Sequence, residues 1–148
     1  MKITNNYDLP QSFVNFVRND KYSKGDANIS VTSIIDSPRI RLMRDAHRDE
    51  MTTDVSDMIW PLFGTAVHHV LESASTDDGV TIEERLFHKI NKWTLSGAID
   101  HQKDDGKSIS ITDYKVTSVW SVIHGKAEWE YQLNCYAYLI DKNKDLPI

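Results

Sequence analysis

A short acidic turn between two alternating segments is the feature that most constrains how this chain folds. The segment Lys103–Lys107 reads Lys-Asp-Asp-Gly-Lys, and its Asp105-Gly106 pair is among the strongest short signals for a β-hairpin. The flanking alternation predicts strands over Trp93–His101 and Ser108–Val116. Because turn length sets strand register, this one segment decides which side chains of the hairpin lie together.

The predicted register gathers two carboxylates on one face of the hairpin. A two-residue turn, or a symmetric four-residue turn, places Asp100 opposite Ile111, so that Asp113 is its diagonal neighbour on the same face, roughly 5 to 8 Å away. Lys115 shares that face. Like charges at this distance are unfavourable unless a cation lies near. Two explanations stay open: Lys115 forms a surface salt bridge, or a divalent cation such as Mg²⁺ or Mn²⁺ binds the carboxylates.

Two helices are predicted around the strands. From Val55 to Ala74 the apolar residues recur at helical spacing and predict one broad buried face, formed by Met58, Leu62, Phe63, Ala66, Val67, Val70, Leu71 and Ala74. On this helix Gly64, His68 and Glu72 are four residues apart and share a line, which leaves His68 either a boundary histidine or a ligand. The segment Glu128–Ile140 predicts a helix whose buried face holds Trp129, Leu133, Tyr136, Ala137 and Ile140.

The N-terminal third predicts a loop and two short helices. Residues 19–29 are polar and read as a loop, after which Ser30 or Thr32 can cap a helical segment. Pro38 opens a second helix that runs to about Arg48. Within it Arg41, Arg44 and Arg48 form one stripe, either a solvated face or a phosphate contact.

The order of elements predicts the fold class. Helices, three strands (the first over Thr81–Lys89) and a final helix predict a mixed α/β or α+β fold, with a central mixed sheet that begins with an antiparallel hairpin and is flanked by helices. We expect a single domain over 1–148, with an N-terminal helical segment at 1–52 and a core at 53–148.

Composition and charge limit the classes of protein and the cellular location that we expect for this chain. The chain of 148 residues has a net charge of -5, with 8 Lys and Arg against 7 Asp and Glu in residues 1–50 and 9 against 15 in residues 51–148. This balance is unlike that of a general nucleic-acid-coating protein. No apolar run reaches the roughly 20 residues of a membrane span, and no signal-peptide pattern opens the chain, so we expect no membrane partner. The lone Cys135 fits a reducing cytoplasm.

Five short sequence motifs follow one another along the chain. They are G-x-x-x-H-x-x-x-E at Gly64–Glu72, E-x-R-L at Glu83–Leu86, G-x-x-D at Gly97–Asp100, D-Y-K at Asp113–Lys115 and Q-x-x-x-Y at Gln132–Tyr136. Over about residues 60 to 140 the chain thereby resembles the PD-(D/E)XK nuclease superfamily, in particular its RecB-like exonuclease branch with phage members. The segment from Ser30 to Pro38 resembles the S-x-S-x-L…C-P opening of that branch. Ser37 stands where iron-sulfur members have Cys, so no iron-sulfur cluster is expected.

The resemblance implies a restriction-endonuclease-like core and a set of site residues. The metal ligands would be His68, Asp100, Asp113 and the main-chain carbonyl of Tyr114, holding one or two Mg²⁺ or Mn²⁺ ions. Lys115 would act on the attacking water and on the charge of the phosphate, with Asp100 and Asp113 as its catalytic partners. Auxiliary positions are Glu72, Glu83, Gln132 and Tyr136.

The implied activity is metal-dependent hydrolysis of DNA phosphodiester bonds, as an exonuclease of recombination, repair or phage DNA processing in a bacterial or phage-infected cell. Candidate DNA contacts are Arg41, Arg44, Arg48, Trp120, Lys126, Lys142 and Lys144. Two alternatives stay open: a nuclease-fold DNA-binding or structural subunit of low or no activity, and a hydrolase of another phosphate ester. Since relatives continue past the motif helix, we also expect a truncated or minimal domain with an open sheet edge, which suits a homo-oligomer or a partner protein.

Overall fold

The computed structural model describes residues 1–19, 25–74 and 77–144, which form six strands and six α-helices. The predicted loop at 19–29 therefore lies partly outside the described residues. In chain order the elements are β1 (Lys2–Thr4), α1 (Gln11–Arg18), β2 (Ile29–Ser30), α2 (Val31–Ile35), α3 (Pro38–Ala46), β3 (Thr52–Asp54), a 3₁₀ turn (Val55–Met58), α4 (Ile59–Ala74), β4 (Val80–Ile90), β5 (Trp93–Asp104), β6 (Ile109–Thr112), α5 (Val119–His124) and α6 (Ala127–Asn143).

The main sheet is built around β5. On one edge β5 pairs with β4 in antiparallel orientation, and on the other it pairs with β2 in parallel near its start and with β6 in antiparallel orientation near its end. The sheet therefore mixes strand orientations, and the coarse prediction of a mixed α/β fold is confirmed. The predicted strand over Ser108–Val116 is too long, because β6 ends at Thr112.

The hairpin turn differs from the predicted one. Asp104 pairs with Ile109, so four residues form the turn, and Gln102 rather than Asp100 lies opposite Ile111. The carboxylate of Asp105 accepts hydrogen bonds from the N–H groups of Lys107 and Ser108. These bonds stabilise a turn that extends to Ser108, further along the chain than the Asp-Gly pair alone indicates. The predicted register is therefore wrong by two residues. An even shift by itself does not move a side chain to the other face of the sheet.

The core lies between the sheet and α6. Gly97 makes this packing possible, because a Cβ there would lie 2.9 Å from side-chain carbons of both Leu139 and Tyr136. The buried cluster consists of Val31, Leu86, Leu95, Ile99, Ile109, Tyr136, Leu139 and Ile140. The predicted face of this helix is partly wrong, since Leu133 is 39% exposed whereas Gln132 and Leu139 are buried.

The apolar stripe of α4 is not buried as predicted. Phe63 and Val70 are 53% and 65% exposed, and none of the residues of α4 is fully buried. Instead the line through Gly64 and His68 faces the rest of the molecule, where both residues line a cavity described below. The helix therefore presents a polar line inward and part of its apolar surface to solvent.

The N-terminal segment contains strands as well as the predicted helices. β1 pairs in parallel with β3, and α1 packs through Val14 and Val17 against Val55. Asp54 joins these parts: its carboxylate accepts hydrogen bonds from Asn6 N–H, the Ser56 N–H and hydroxyl, and the Thr4 hydroxyl, which together lower its pKa to about 2.

Two of the predicted N-terminal features agree with the structure. Ser30 caps α2 by accepting a hydrogen bond from the Ser33 N–H, and Pro38 is the first residue of α3. That helix ends at Ala46, two residues before the predicted end.

Among residues 1–19, 25–74 and 77–144, none of the helices combines the length and apolar character that a bilayer crossing requires.

The two glycines of the site motifs give a matched test of this packing. Gly97→Ala forces its new Cβ against Leu139 and Tyr136, so we expect the free energy of unfolding to fall by about 1 to 3 kcal/mol. Gly64→Ala meets no atom within 4 Å, and it removes a helical glycine, so we expect a change of roughly 0 to 1 kcal/mol in the stabilising direction. Urea denaturation measures both. Equal stability of the two variants would contradict the packing of α6 on β5.

Candidate functional site

A cavity of about 430 Å³ opens between α4, the middle of the main sheet and α6. We call it the cleft. Its charged and amide-bearing lining residues are His68, Glu83, Arg85, Asp100, Asp113, Lys115 and Gln132. Six of these seven, all except Arg85, are predicted catalytic, metal-ligating or auxiliary residues, so the fold brings most of the predicted site into one place.

Three of the lining side chains lie close enough to share one ion. The Nδ1 atom of His68 is 3.6 Å from Asp100 Oδ2 and 3.9 Å from Glu83 Oε1. One ligand atom from each of the three residues lies within 4.8 Å of the other two. We call His68, Glu83 and Asp100 the three-residue group. Its members come from α4, β4 and β5, so the contact depends on the tertiary fold.

The main chain of Tyr114 orients two members of this group. Its N–H donates a hydrogen bond of 2.8 Å to Asp100 Oδ2, and its carbonyl oxygen lies 2.9 Å from His68 Nε2. A carbonyl only accepts, so Nε2 donates this hydrogen bond, and Nδ1 is the ring nitrogen that faces the carboxylates. The resemblance implied the Tyr114 carbonyl as a metal ligand, whereas in the structure it is the acceptor that orients His68.

Asp113 lies in the cleft but outside the three-residue group. Its carboxylate, of which 7% is exposed, pairs with Lys115 Nζ at 2.7 Å and accepts a hydrogen bond of 3.2 Å from Gln132. The Gln132 amide also donates to the Tyr136 hydroxyl at 2.7 Å. Because Asp113 follows the last paired residue of β6, the hairpin ladder does not fix its side chain, and the partners on α6 and at Lys115 do.

Two carboxyl groups of the cleft, those of Asp100 and Glu83, have raised pKa values. Burial raises the pKa of Asp100, and the charge of Asp113 raises it further, against the hydrogen bond from the Tyr114 N–H. Burial likewise raises the pKa of Glu83, with added repulsion from Asp100 and Glu72. Since each shift comes from desolvation and like charge, a cation placed among these groups would be stabilised by their ionised forms.

Glu83 adopts an unusual backbone conformation at this point. Its φ is 49°, and the ladder between β4 and β5 omits only the pair that Glu83 would form with Asp100. The alternation of side chains along β5 is also interrupted near this point. Ile99 belongs to the core that α6 covers, so regular alternation would turn Gln102 to the opposite face of the sheet. Gln102 instead accepts a hydrogen bond from Lys144, just after α6. A non-glycine residue in this region costs about 1 to 3 kcal/mol and is concentrated at functional sites.

The remaining predicted residues lie outside the cleft. Glu72 does not line the cleft, and its carboxylate lies 3.5 Å from His69 Nδ1, although its charge still acts on Glu83. Trp120 is 70% exposed and stacks on His124 with ring centroids 5.8 Å apart, and Lys126 Nζ lies 5.8 Å from the centroid of the Trp129 ring. Of the two C-terminal lysines, Lys142 pairs with Asp141 and Lys144 with Glu84.

The arginine stripe borders a second hollow. Arg41, Arg44 and Arg48 line a space of about 790 Å³ together with the exposed Trp93. Arg41 donates to the Ser33 carbonyl at 2.7 Å, and Arg44 pairs with Asp36 at 3.3 Å. Two of the three side chains are thus engaged with the protein.

Sequence reasoning did not place several cleft residues in the site. Arg85, Thr65 and Ser96 line it without a predicted role, and Ser30 and Thr32, predicted as helix caps, line it too. Arg85 was visible as the third position of the E-x-R-L motif. Thr65 and Ser96 carry no chemical pattern by which a sequence alone would select them.

Comparison with known proteins supports the fold and goes no further. No protein-family model and no curated protein matches the chain. A solved structure described as "Crystal structure of SSO0001" is similar in fold, with a TM-score of 0.60 and 16% sequence identity. The superposition covers 88% of this chain, and the chain spans 63% of the length of that structure. The similarity shows a shared mixed α/β architecture.

The Gln132 hydrogen bonds predict a stability effect. Gln132→Leu leaves the Asp113 carboxylate and the Tyr136 hydroxyl without their shared donor, so we expect the free energy of unfolding to fall by about 1 to 3 kcal/mol. Gln11→Leu on exposed α1 is the control, expected to change it by less than about 0.5 kcal/mol. Chemical denaturation compares the two. A Gln132→Leu variant as stable as the control would show that these hydrogen bonds do not hold the site.

Proposed function

We propose that this chain is a metal-dependent DNA nuclease of the PD-(D/E)XK superfamily, with a restriction-endonuclease-like core, and that it acts as an exonuclease of the RecB-like branch. The observation that carries the proposal is the three-residue group beside the Asp113–Lys115 pair in one cleft. The five motifs converge there from four separate elements. Recombination, repair or phage DNA processing in a bacterial or phage-infected cell is the setting that follows from the resemblance.

The three-residue group suits a hard divalent cation. Two carboxylates and one imidazole offer oxygen-rich coordination with a single nitrogen, a set compatible with Mn²⁺ and Mg²⁺. The raised pKa values of Asp100 and Glu83 add an electrostatic reason, because a bound cation relieves the repulsion that causes part of the shift. When bound, such an ion supplies activation of water and polarisation of the phosphate.

The protein groups each have a defined part in this chemistry. Lys115, held 2.7 Å from Asp113, orients the attacking water and stabilises negative charge on the phosphate oxygens. Gln132 fixes Asp113 from α6, and the Tyr114 peptide fixes His68 and Asp100. Because these positions come from main-chain and packed groups, the site is organised before substrate arrives.

Substrate access follows from the distribution of positive charge and aromatic surface. The net charge of -5 disfavours general attraction of DNA, so contacts must be local. We place them at the hollow lined by Arg41, Arg44, Arg48 and Trp93 and at Trp120, whose exposed ring can stack on an unpaired base.

One observation favours a second function, that of a nuclease-fold binding or structural subunit. On α5 the apolar residues Val119, Trp120, Val122 and Ile123 are all between 64% and 73% exposed. An apolar surface of this kind is typical of contact with a partner protein or a second copy. The two functions differ in one measurable property, the hydrolysis of DNA.

The nuclease proposal predicts the behaviour of Lys115. We expect the wild type with Mn²⁺ to degrade end-labelled linear DNA and to leave circular DNA intact. Lys115→Ala should lower the rate about 10² to 10⁴-fold with an unchanged fold, because the group that acts on the attacking water is lost. Lys107→Ala in the exposed hairpin turn is the matched control and should retain full activity. A fully active Lys115→Ala variant would remove this mechanism, and a wild type that degrades no DNA would favour the subunit.

The metal assignment predicts a difference between two glutamates. Glu83→Gln removes a member of the three-residue group, so its Mn²⁺ affinity measured by titration calorimetry should fall by at least about tenfold. Glu50→Gln, whose side chain is 78% exposed and does not line the cleft, should change the affinity by less than about twofold. Asp113→Asn tests whether Asp113 is itself a metal ligand, as the resemblance implies, or acts only through Lys115. A lower Mn²⁺ affinity favours the first arrangement, and an unchanged affinity favours the second. Equal affinities for the wild type and Glu83→Gln would argue against this centre.

A further inference from the structure

Arg85 is a cleft residue that neither the metal site nor Lys115 explains. It lies half-buried on β4, opposite Ala98, and its guanidinium donates one hydrogen bond of 3.4 Å to the Ser96 hydroxyl. Within the part of the chain that the structure describes, none of the carboxylates lies at ion-pair distance from it, since Asp113 pairs with Lys115 and Glu84 with Lys144. Arg85 therefore keeps most of its five N–H donors available.

Neutralising the carboxylates is not a sufficient role for this arginine. Glu83 lies two residues away on the same strand, roughly 7 Å along it, and Arg85 is the smallest of the five influences on the pKa of Glu83. An arginine that served as a counter-ion would be expected to form a close bidentate pair with a carboxylate. Here the guanidinium lies beside the acidic residues and does not pair with them.

The surroundings of Arg85 suit a phosphate group. A guanidinium presents parallel N–H donors that match two phosphate oxygens, and it remains charged at every physiological pH. The exposed Thr32 lines the same cavity and adds a hydroxyl of the kind that binds phosphate oxygens, whereas Ser96 is fully buried and holds the guanidinium. The wall that holds Arg85 is thus chemically opposite in character to the three-residue group.

We propose that Arg85, held by the Ser96 hydroxyl and joined by the hydroxyl of Thr32, forms a phosphate subsite that binds a phosphate of the DNA strand next to the one attacked at the three-residue group. The inference rests on the proposed function and extends it from the reacting bond to the position of the strand. Arg85 is in this scheme a positioning residue. It sets how far the strand enters the cleft and so which bond is presented to Lys115.

The first test measures binding without turnover. Arg85→Gln and Arg85→Lys are compared with the wild type and with Arg18→Gln, an exposed arginine at the end of α1, by fluorescence anisotropy of a labelled single-stranded oligonucleotide in EDTA. Loss of one phosphate contact should weaken binding about tenfold and lower the slope of log K against log salt by about 0.7. Arg85→Lys keeps the charge without the bidentate geometry, so it should weaken binding less and keep the slope. Arg18→Gln should match the wild type.

The second test uses turnover with Mn²⁺. Arg85→Gln should raise KM about tenfold and change kcat less than about threefold, as expected when binding common to ground and transition states is lost. Oligonucleotides with a 5′-phosphate, a 3′-phosphate or hydroxyl ends identify the source of the phosphate. A KM that depends on an end phosphate only while Arg85 is present assigns the subsite to a terminal monoester. A KM that is independent of the ends but raised in Arg85→Gln assigns it to an internal diester.

The outcomes separate this inference from the nuclease proposal. If the wild type hydrolyses DNA but both Arg85 variants keep its KM and its salt slope, the subsite is wrong and the nuclease stands. If no DNA is hydrolysed but Arg85→Gln still lowers the affinity and the slope, the subsite stands in a binding subunit. A wild type that binds no oligonucleotide overturns the subsite. Should Arg85→Gln fail to fold by circular dichroism, the comparison of Arg85→Lys with the wild type decides.

Discussion

The main chain of Tyr114 is the contact on which the site depends. Its N–H donates to Asp100 from β5 at 2.8 Å, and its carbonyl accepts from His68 of α4 at 2.9 Å. The N–H belongs to the peptide that joins Tyr114 to Asp113, and the carbonyl belongs to the peptide that joins it to Lys115. Two successive peptide units of the D-Y-K motif thus hold Asp100 and His68, while the side chains on either side of Tyr114 supply the Asp113–Lys115 pair. Gln132 of α6 binds Asp113 from another element.

The sequence predicted the positions of the strands better than their register. Alternation and the Asp-Gly pair were sufficient to identify the hairpin, because both are local properties of the chain. The turn length depends on hydrogen bonds from Lys107 and Ser108 to the Asp105 side chain, which a dipeptide signal does not contain. Asp100 and Asp113 both line the cleft, but strand alternation is not the cause, because Asp113 follows the last paired residue of β6. Hydrogen bonds from Tyr114 and Gln132 and the ion pair with Lys115 hold these two carboxylates.

The buried helix faces were harder to predict, for a physical reason. Helical periodicity assigns apolar residues inward, yet on α4 Gly64 and His68 face the cleft, and on α6 Gln132 is buried among its hydrogen-bond partners. Polar residues occupy inward positions where a site is built, so the rule fails at the residues of most interest. Glu83 was ranked as auxiliary because nothing in its sequence context shows the φ of 49° that brings it beside Asp100.

The energetics of the cleft connect its strain with its charge. The left-handed backbone at Glu83 and the repulsion that raises the pKa values of Glu83 and Asp100 both disfavour the fold without a ligand. Neither feature helps α6 pack on the sheet, because the core cluster is formed by other residues of β4 and β5. A cation that bound these carboxylates would remove the repulsion and hold Glu83 in place. Binding would then raise the stability of the fold in proportion to the logarithm of cation concentration above its Kd, which links the strained residue to the proposed chemistry through one equilibrium.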